Sequence, residues 1–171
     1  MDDARTASPR PDFESGVGSS ERMELRVWLR LLTCCNLIEG VIRQKLHQDF
    51  STTLPRFDIL AQLERAGEPL SMGELSRRMM VTNGNITGLV ERLAVDGLIE
   101  RAASANDKRV QMVRLTAEGR RAFAAMAEAH RAWVADMMAG LDRKEQAELH
   151  AMLSKLKQSV LDHGGPTEKS R

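Results

Sequence analysis

Residues 71–115 constrain the fold more than any other part of the chain. The stretch SMGELSRRMMVTNGNITGLVERLAVDGLIER (71–101) holds two short helical patterns in quick succession, and a polar loop in SANDKRVQMVRLT (104–116) follows it. Ser71-x-x-Glu74 is a capping box, in which a hydroxyl and a carboxylate satisfy free N–H groups at a helix start. Met72, Leu75 and Met79 form the apolar face of that helix. Thr82 is the predicted N-cap of the next, whose core face is Ile86, Leu89, Val90 and Leu93. Gly97 stands where a left-handed C-terminal cap belongs. Leu98 to Ala102 and Val110 to Leu115 alternate as strands, and the loop between them makes a β-hairpin. A helix-turn-helix with a hairpin behind it is the predicted core of the fold.

Longer helical patterns flank this unit. From Met23 to Phe50 no proline interrupts the chain. Trp28, Leu31, Leu32, Cys35, Ile38, Ile42 and Leu46 keep three- and four-residue spacing, and Leu25, Leu29 and Val41 widen the stripe. A second helix begins at Pro55, carries Phe57, Ile59, Leu60 and Leu63, and stops near Gly67. Thr116 caps a helix expected to run through Leu141, and Asp142-x-x-Glu145 starts a last one with Leu149, Met152, Leu153, Leu156 and Val160 at heptad-like spacing.

A lobe of about 65 residues cannot cover three long helices that are apolar over so much of their surface. A second copy of the chain is the simplest cover, so a homodimer is expected. The expected organisation is a disordered tail over 1–22, a dimerisation helix over 23–50 and a winged helix-turn-helix domain over 54–116. C-terminal dimerisation helices over 117–162 and a disordered tail over 163–171 complete it. The fold class is mainly α with a small β-hairpin wing.

Charge and composition narrow the function. The formal net charge is +1 over 171 residues, so nucleic-acid binding must come from a local patch rather than a bulk cationic character. No apolar run approaches the ~20 residues needed to span a bilayer, and the first 20 residues hold no hydrophobic segment. A cytoplasmic location without a membrane partner is expected. Cys34 and Cys35 are neighbours on a helix, pointing about 100° apart, which rules out a disulfide framework and makes them expected buried filler. The four histidines show no metal-ligand spacing and the cysteines no CxxC. Neither a metal, a cofactor nor an enzyme is expected.

The helix after Thr82 carries the chemistry. With Ile86 and Leu93 in the core, Gly84, Gly88 and Glu91 fall on the opposite side, flanked by Asn85, Thr87 and Arg92. Each glycine in a helix costs roughly 1 kcal/mol against alanine. A solvated face gains nothing from that cost, whereas a face pressed against another surface lets the backbone approach. Asn85 and Thr87 can reach base edges, and Asn83 and Arg92 can meet bases or phosphates. In the loop, Arg109 is suited to a narrow, electronegative minor groove, Asp107 can orient its guanidinium, and Lys108 can add a phosphate contact.

These residues resemble the multiple antibiotic resistance regulator (MarR) family of winged-helix transcription factors, from about Leu25 to Leu161. The resemblance is strongest in VTNGNITGLVERLAVDGLIER, the wing pattern Asp107-x-Arg109 and the following VRLTAEGRR. It implies an obligate dimer whose terminal helices interlock, with each wing arginine in a minor groove. It carries Thr82, Asn83, Asn85, Thr87 and Arg92 into DNA contact on an inverted-repeat operator. Gly88 departs from the pattern, since many members carry a basic residue there.

The resemblance further implies release of DNA by a small molecule in a crevice between the dimer helices and the DNA-binding lobe. Leu37, Val41, Gln44, Arg56, Phe57, Phe123, Met126 and His130 are the candidate lining. MVTNGNITGLVERL is most similar to regulators of aromatic-acid degradation, so the expected effector is an aromatic carboxylate or, ahead of it, its coenzyme A thioester. Arg26, Arg30 and Arg43 are candidates for the thioester phosphates. Repression is the expected mode. Two rival readings are an oxidant-sensing repressor of the same fold using Cys34 or Cys35, and a winged helix serving protein contact alone. Peroxide-sensing members pair their cysteine with tyrosines, and this chain has none.

Overall fold

The computed structural model describes residues 23–79, 83–104, 107 and 109–164. Six helices and three strands follow in the order α1 (Met23–Phe50), α2 (Leu54–Ala66), β1 (Leu70–Ser71), α3 (Met72–Met79), α4 (Asn83–Val95), β2 (Ile99–Ala103), β3 (Gln111–Leu115), α5 (Ala117–Met138) and α6 (Arg143–Gly164). The chain divides into two compact units, residues 1–128 and 129–171, with α5 running from the first into the second.

The first unit is a winged helix. Leu46 of α1, Ile59 and Leu60 of α2, Leu70 of β1, Leu75 of α3, Ile86, Val90 and Leu93 of α4 and Val113 of β3 are fully buried. Each such side chain contributes on the order of 1.5–3 kcal/mol over leaving it in water. One antiparallel sheet, order β1-β3-β2, closes the unit. The sequence predicts two strands; the third, β1, is a two-residue segment pairing Leu70 with Val113 and Ser71 with Met112. Ser71 therefore ends a strand and caps a helix at once, and the N–H of Glu74 donates to its Oγ at 3.2 Å. The carboxylate half of that capping box is replaced by a pair with Arg78 at 3.5 Å.

Helix ends follow their chemistry. α2 carries Pro55 in its first turn and stops at Gly67, whose φ of 68° is left-handed. Thr116 caps α5 by accepting the Gly119 N–H at 2.9 Å. The expected continuation of α5 to Leu141 is not formed: it ends at Met138, before the Ala139–Gly140 turn. α6 opens with a complete capping box. The Asp142 N–H donates to Glu145 Oε2 and the Glu145 N–H to Asp142 Oδ1, both at 2.8 Å. It runs to Gly164, through His163 and Gly164 of the expected tail.

The long helices are less covered than their stripes suggest. In α1 only Thr33, Ile42 and Leu46 are buried, while Leu25, Val27, Trp28, Leu37 and Val41 are exposed. Cys34 and Cys35, expected as buried filler, are both exposed free thiols. Periodicity marks a face as apolar, but the described residues of one chain supply nothing to lie over this part of it. On α6, Leu149, Met152, Leu153, Leu156 and Val160 are exposed along one stripe.

Candidate nucleic-acid interface

α4 buries Ile86, Val90 and Leu93 and turns Thr87, Gly88, Glu91 and Arg92 outward. A methyl group at Gly88 would meet no atom within 4 Å, so no packing among the described residues calls for glycine there. Thr82 and the side chains of Asn83 and Asn85 lie outside the described residues. The C-terminus of α4 is closed by backbone hydrogen bonds from Gly97 N–H to Ala94 O and from Leu98 N–H to Leu93 O, both 3.0 Å, with Gly97 at φ 71°.

The wing brings Asp107 and Arg109 together. Asp107 Oδ1 accepts the Arg109 backbone N–H at 2.9 Å and its Nε at 3.4 Å. The Val110 N–H donates to Asp107 O at 2.9 Å and the Ser104 N–H to Val110 O at 2.8 Å, which closes the loop base. The Arg109 side chain is 93% exposed. An ion pair this open adds little to stability. What the carboxylate does is hold the backbone and the guanidinium of Arg109 in one relative direction. Lys108 lies outside the described residues.

Two exposed cations of the same lobe escape the sequence reading. Arg101 pairs in register with the buried Val113, so it stands on the helix-facing side of the sheet, two residues beyond Ile99 toward the tip, and is exposed there. Arg77 is exposed in the last turn of α3. The Arg77-Arg78 doublet ending a capped helix was the available signal; Arg101 required the strand register.

The crevice candidates are only partly assembled. Phe57 is buried, and its ring lies 5.6 Å from that of Phe123 at 33°, while Met126 is buried nearby in sequence. Leu37, Val41 and Gln44 are exposed on α1, as are Arg26, Arg30 and Arg43, the last paired with Glu39. Arg56 is turned to Asp96, beyond the end of α4. Burial first, and then the charge of Glu39, raise the pKa of Asp58. In the second unit, burial lowers the pKa of His130. No cluster of three or more His, Cys, Asp or Glu side chains suited to a metal occurs among the described residues.

Comparison with known proteins places this geometry. The MarR family model matches residues 50–110. A MarR family transcriptional regulator of known structure from Silicibacter pomeroyi is 33% identical, with a TM-score of 0.69 over 80% of this chain and 94% of its own. The chain belongs to the MarR family. Among its relatives, the transcriptional activatory protein BadR of Rhodopseudomonas palustris is 30% identical over 111 residues, which is 63% of each chain. The regulator PecS of Dickeya dadantii is 26% identical over 121 residues, 70% of this chain and 73% of its own. This MarR-family protein is thus a DNA-binding transcriptional regulator. Among its described residues no helix is long and apolar enough to cross a membrane.

Proposed function

We propose that this regulator binds an inverted-repeat operator as a homodimer, with the outward face of α4 in the major groove and Arg109 in the adjacent minor groove. The observation that carries the reading is the Asp107 carboxylate gripping both the N–H and the Nε of an otherwise exposed Arg109. An oriented arginine suits a narrow, electronegative groove whose bases offer few distinguishing groups. The uncovered stripe of α6 supports the dimer, whose half-sites would then lie one helical turn apart, ~34 Å.

Asp107 supplies the test. Arg109→Ala is expected to weaken binding to a selected operator duplex by roughly tenfold or more, and by more than Lys108→Ala. Asp107→Ala should weaken it as well, although it removes a negative charge beside DNA. Simple electrostatics gives the opposite sign, so tighter binding of Asp107→Ala in a fluorescence-anisotropy titration would refute the orienting role.

Repression relieved by a small aromatic effector is the regulatory mode we propose. BadR is by name a transcriptional activatory protein, so a reporter carrying the selected operator downstream or upstream of a promoter settles the sign. Shifting a two-state population from 1:99 to 99:1 takes ~5.5 kcal/mol of differential affinity. One ring and one carboxylate make few contacts for that; a coenzyme A thioester adds area and several phosphates. Release by an aromatic acyl-CoA at micromolar concentration, with its free acid far weaker, is the expected result. Arg43 is already paired with Glu39. Arg26→Ala should therefore reduce the thioester response more than Arg43→Ala does, with DNA affinity kept. Equal potency of acid and thioester would remove the reason to prefer the thioester.

A further inference from the structure

α4 ends at Val95, and two side chains from distant parts of the chain hold the turn that follows it. Thr116 Oγ1 donates to the Gly97 carbonyl at 2.7 Å. Arg56, in the first turn of α2 and 40 residues earlier, forms an ion pair and hydrogen bond with Asp96. We propose that the Arg56–Asp96 pair is a positioning tether that sets the attitude of α4 for base reading, and so governs discrimination between DNA sequences rather than affinity for DNA in general. The proposal rests on α4 being the helix that enters the groove.

Stability does not account for the pair. The Arg56 side chain is 21% exposed, and its Nε is shut off from solvent with no acceptor among the described residues. A guanidinium left partly unsatisfied in this way is a poorer filler than an apolar side chain of similar size. What an ion pair offers in exchange is direction: it couples one point on α2 to one point on the end of α4. Direction matters because base edges are met from the N-terminal part of a recognition helix. The 13 residues of α4 span roughly 18 Å at 1.5 Å per residue, so a 10° tilt about its tethered end displaces the other by about 3 Å. Hydrogen bonds to bases tolerate a few tenths of an ångström. Long, mobile arginines on phosphates tolerate far more, so a loosened tether should cost specificity first.

The test uses the full chain and two duplexes: one selected by the wild-type protein from a randomised pool, and a scramble of equal length and composition. Asp96→Asn is expected to weaken the selected duplex by about tenfold while the scramble stays within about twofold, with the unfolding midpoint little changed. Bare electrostatics predicts that losing this negative charge strengthens both. The charge swap Arg56→Asp with Asp96→Arg should restore most of the selected-to-scramble ratio, a rescue that simple loss of packing would not show. Should either single variant fold poorly, Arg56→Met with Asp96→Ala removes both charges together and should fold at least as well as wild type with a reduced ratio. A wild-type ratio in that double variant or in Asp96→Asn overturns the proposal, as does a ratio that falls only in step with the melting temperature. A wild-type protein that enriches no duplex overturns the DNA-reading role of α4 itself, and the tether with it.

Discussion

Gly119→Ala is expected to lower the unfolding midpoint by about 5–10 °C, although alanine in place of a helical glycine ordinarily gains up to ~1 kcal/mol. The sign reverses because of what lies against Gly119. A Cβ there would overlap the Leu98 carbonyl oxygen and come within 2.8 Å of the carbonyl carbon. Those are backbone atoms of the turn between α4 and β2, and they cannot rotate away as the end of a flexible side chain can. Overpacking of this kind costs roughly 1–3 kcal/mol, and contact with backbone belongs at the upper end.

The same junction is crossed by the Thr116 N–H to Leu98 O bond at 3.1 Å and the Thr116 hydroxyl to Gly97 O bond at 2.7 Å. Displacing α5 by even half an ångström strains all three contacts together. Gly88→Ala is the control. With nothing within 4 Å of its Cβ position, it should leave the midpoint equal or higher, yet weaken operator binding by setting a methyl group between α4 and the DNA. A Gly119→Ala midpoint at or above wild type, by calorimetry or circular dichroism, would show that the junction yields at little cost.

The T-x-x-G pattern at 116–119 was legible as a resemblance before its cause was visible: threonine caps α5, and the glycine admits the Leu98 carbonyl. Local chemistry of this sort was readable throughout. Ser71, Gly67, Gly97 and the Asp142/Glu145 capping box act where their residue types predict, because each works within four residues of itself. The Asp107–Arg109 contact was readable for the same reason. What sequence could not carry depends on partners far along the chain. β1 is two residues long and exists only because β3 lies beside it. Nothing in the sequence near Arg56 announces that its partner is Asp96, 40 residues away. Arg101 needed the strand register to place it. Cys34 and Cys35 are exposed where the stripe predicts burial, because an apolar stripe states a preference for burial, not whether anything covers it. Gly140 does mark the end of α5, since a glycine stops the helix at Met138 although the apolar pattern continues to Leu141.

Introducing Asp at Leu153 and Leu156 together is expected to give a monomer at micromolar concentration and to weaken operator binding by about 10²-fold or more. In a single chain these side chains are 39% and 41% exposed, one helical step apart on the stripe that also holds Leu149, Met152 and Val160. Two carboxylates there cost the isolated chain little, since both already meet water. Across an interface with a second copy, the same substitutions would bury unpaired charge on both sides of a two-fold axis, so the penalty is counted twice. Loss of DNA affinity follows because binding at one half-site raises the effective concentration of the second α4 and wing at the other, and a monomer forfeits that gain. Gln158→Glu adds charge to the opposite side of α6 and should leave both assembly and affinity near wild type. Sedimentation equilibrium reads the first quantity and anisotropy on the selected duplex the second. A dimer that survives both aspartates would show that this stripe faces something other than a second copy. Monomers that keep full operator affinity would break the link between assembly and DNA binding.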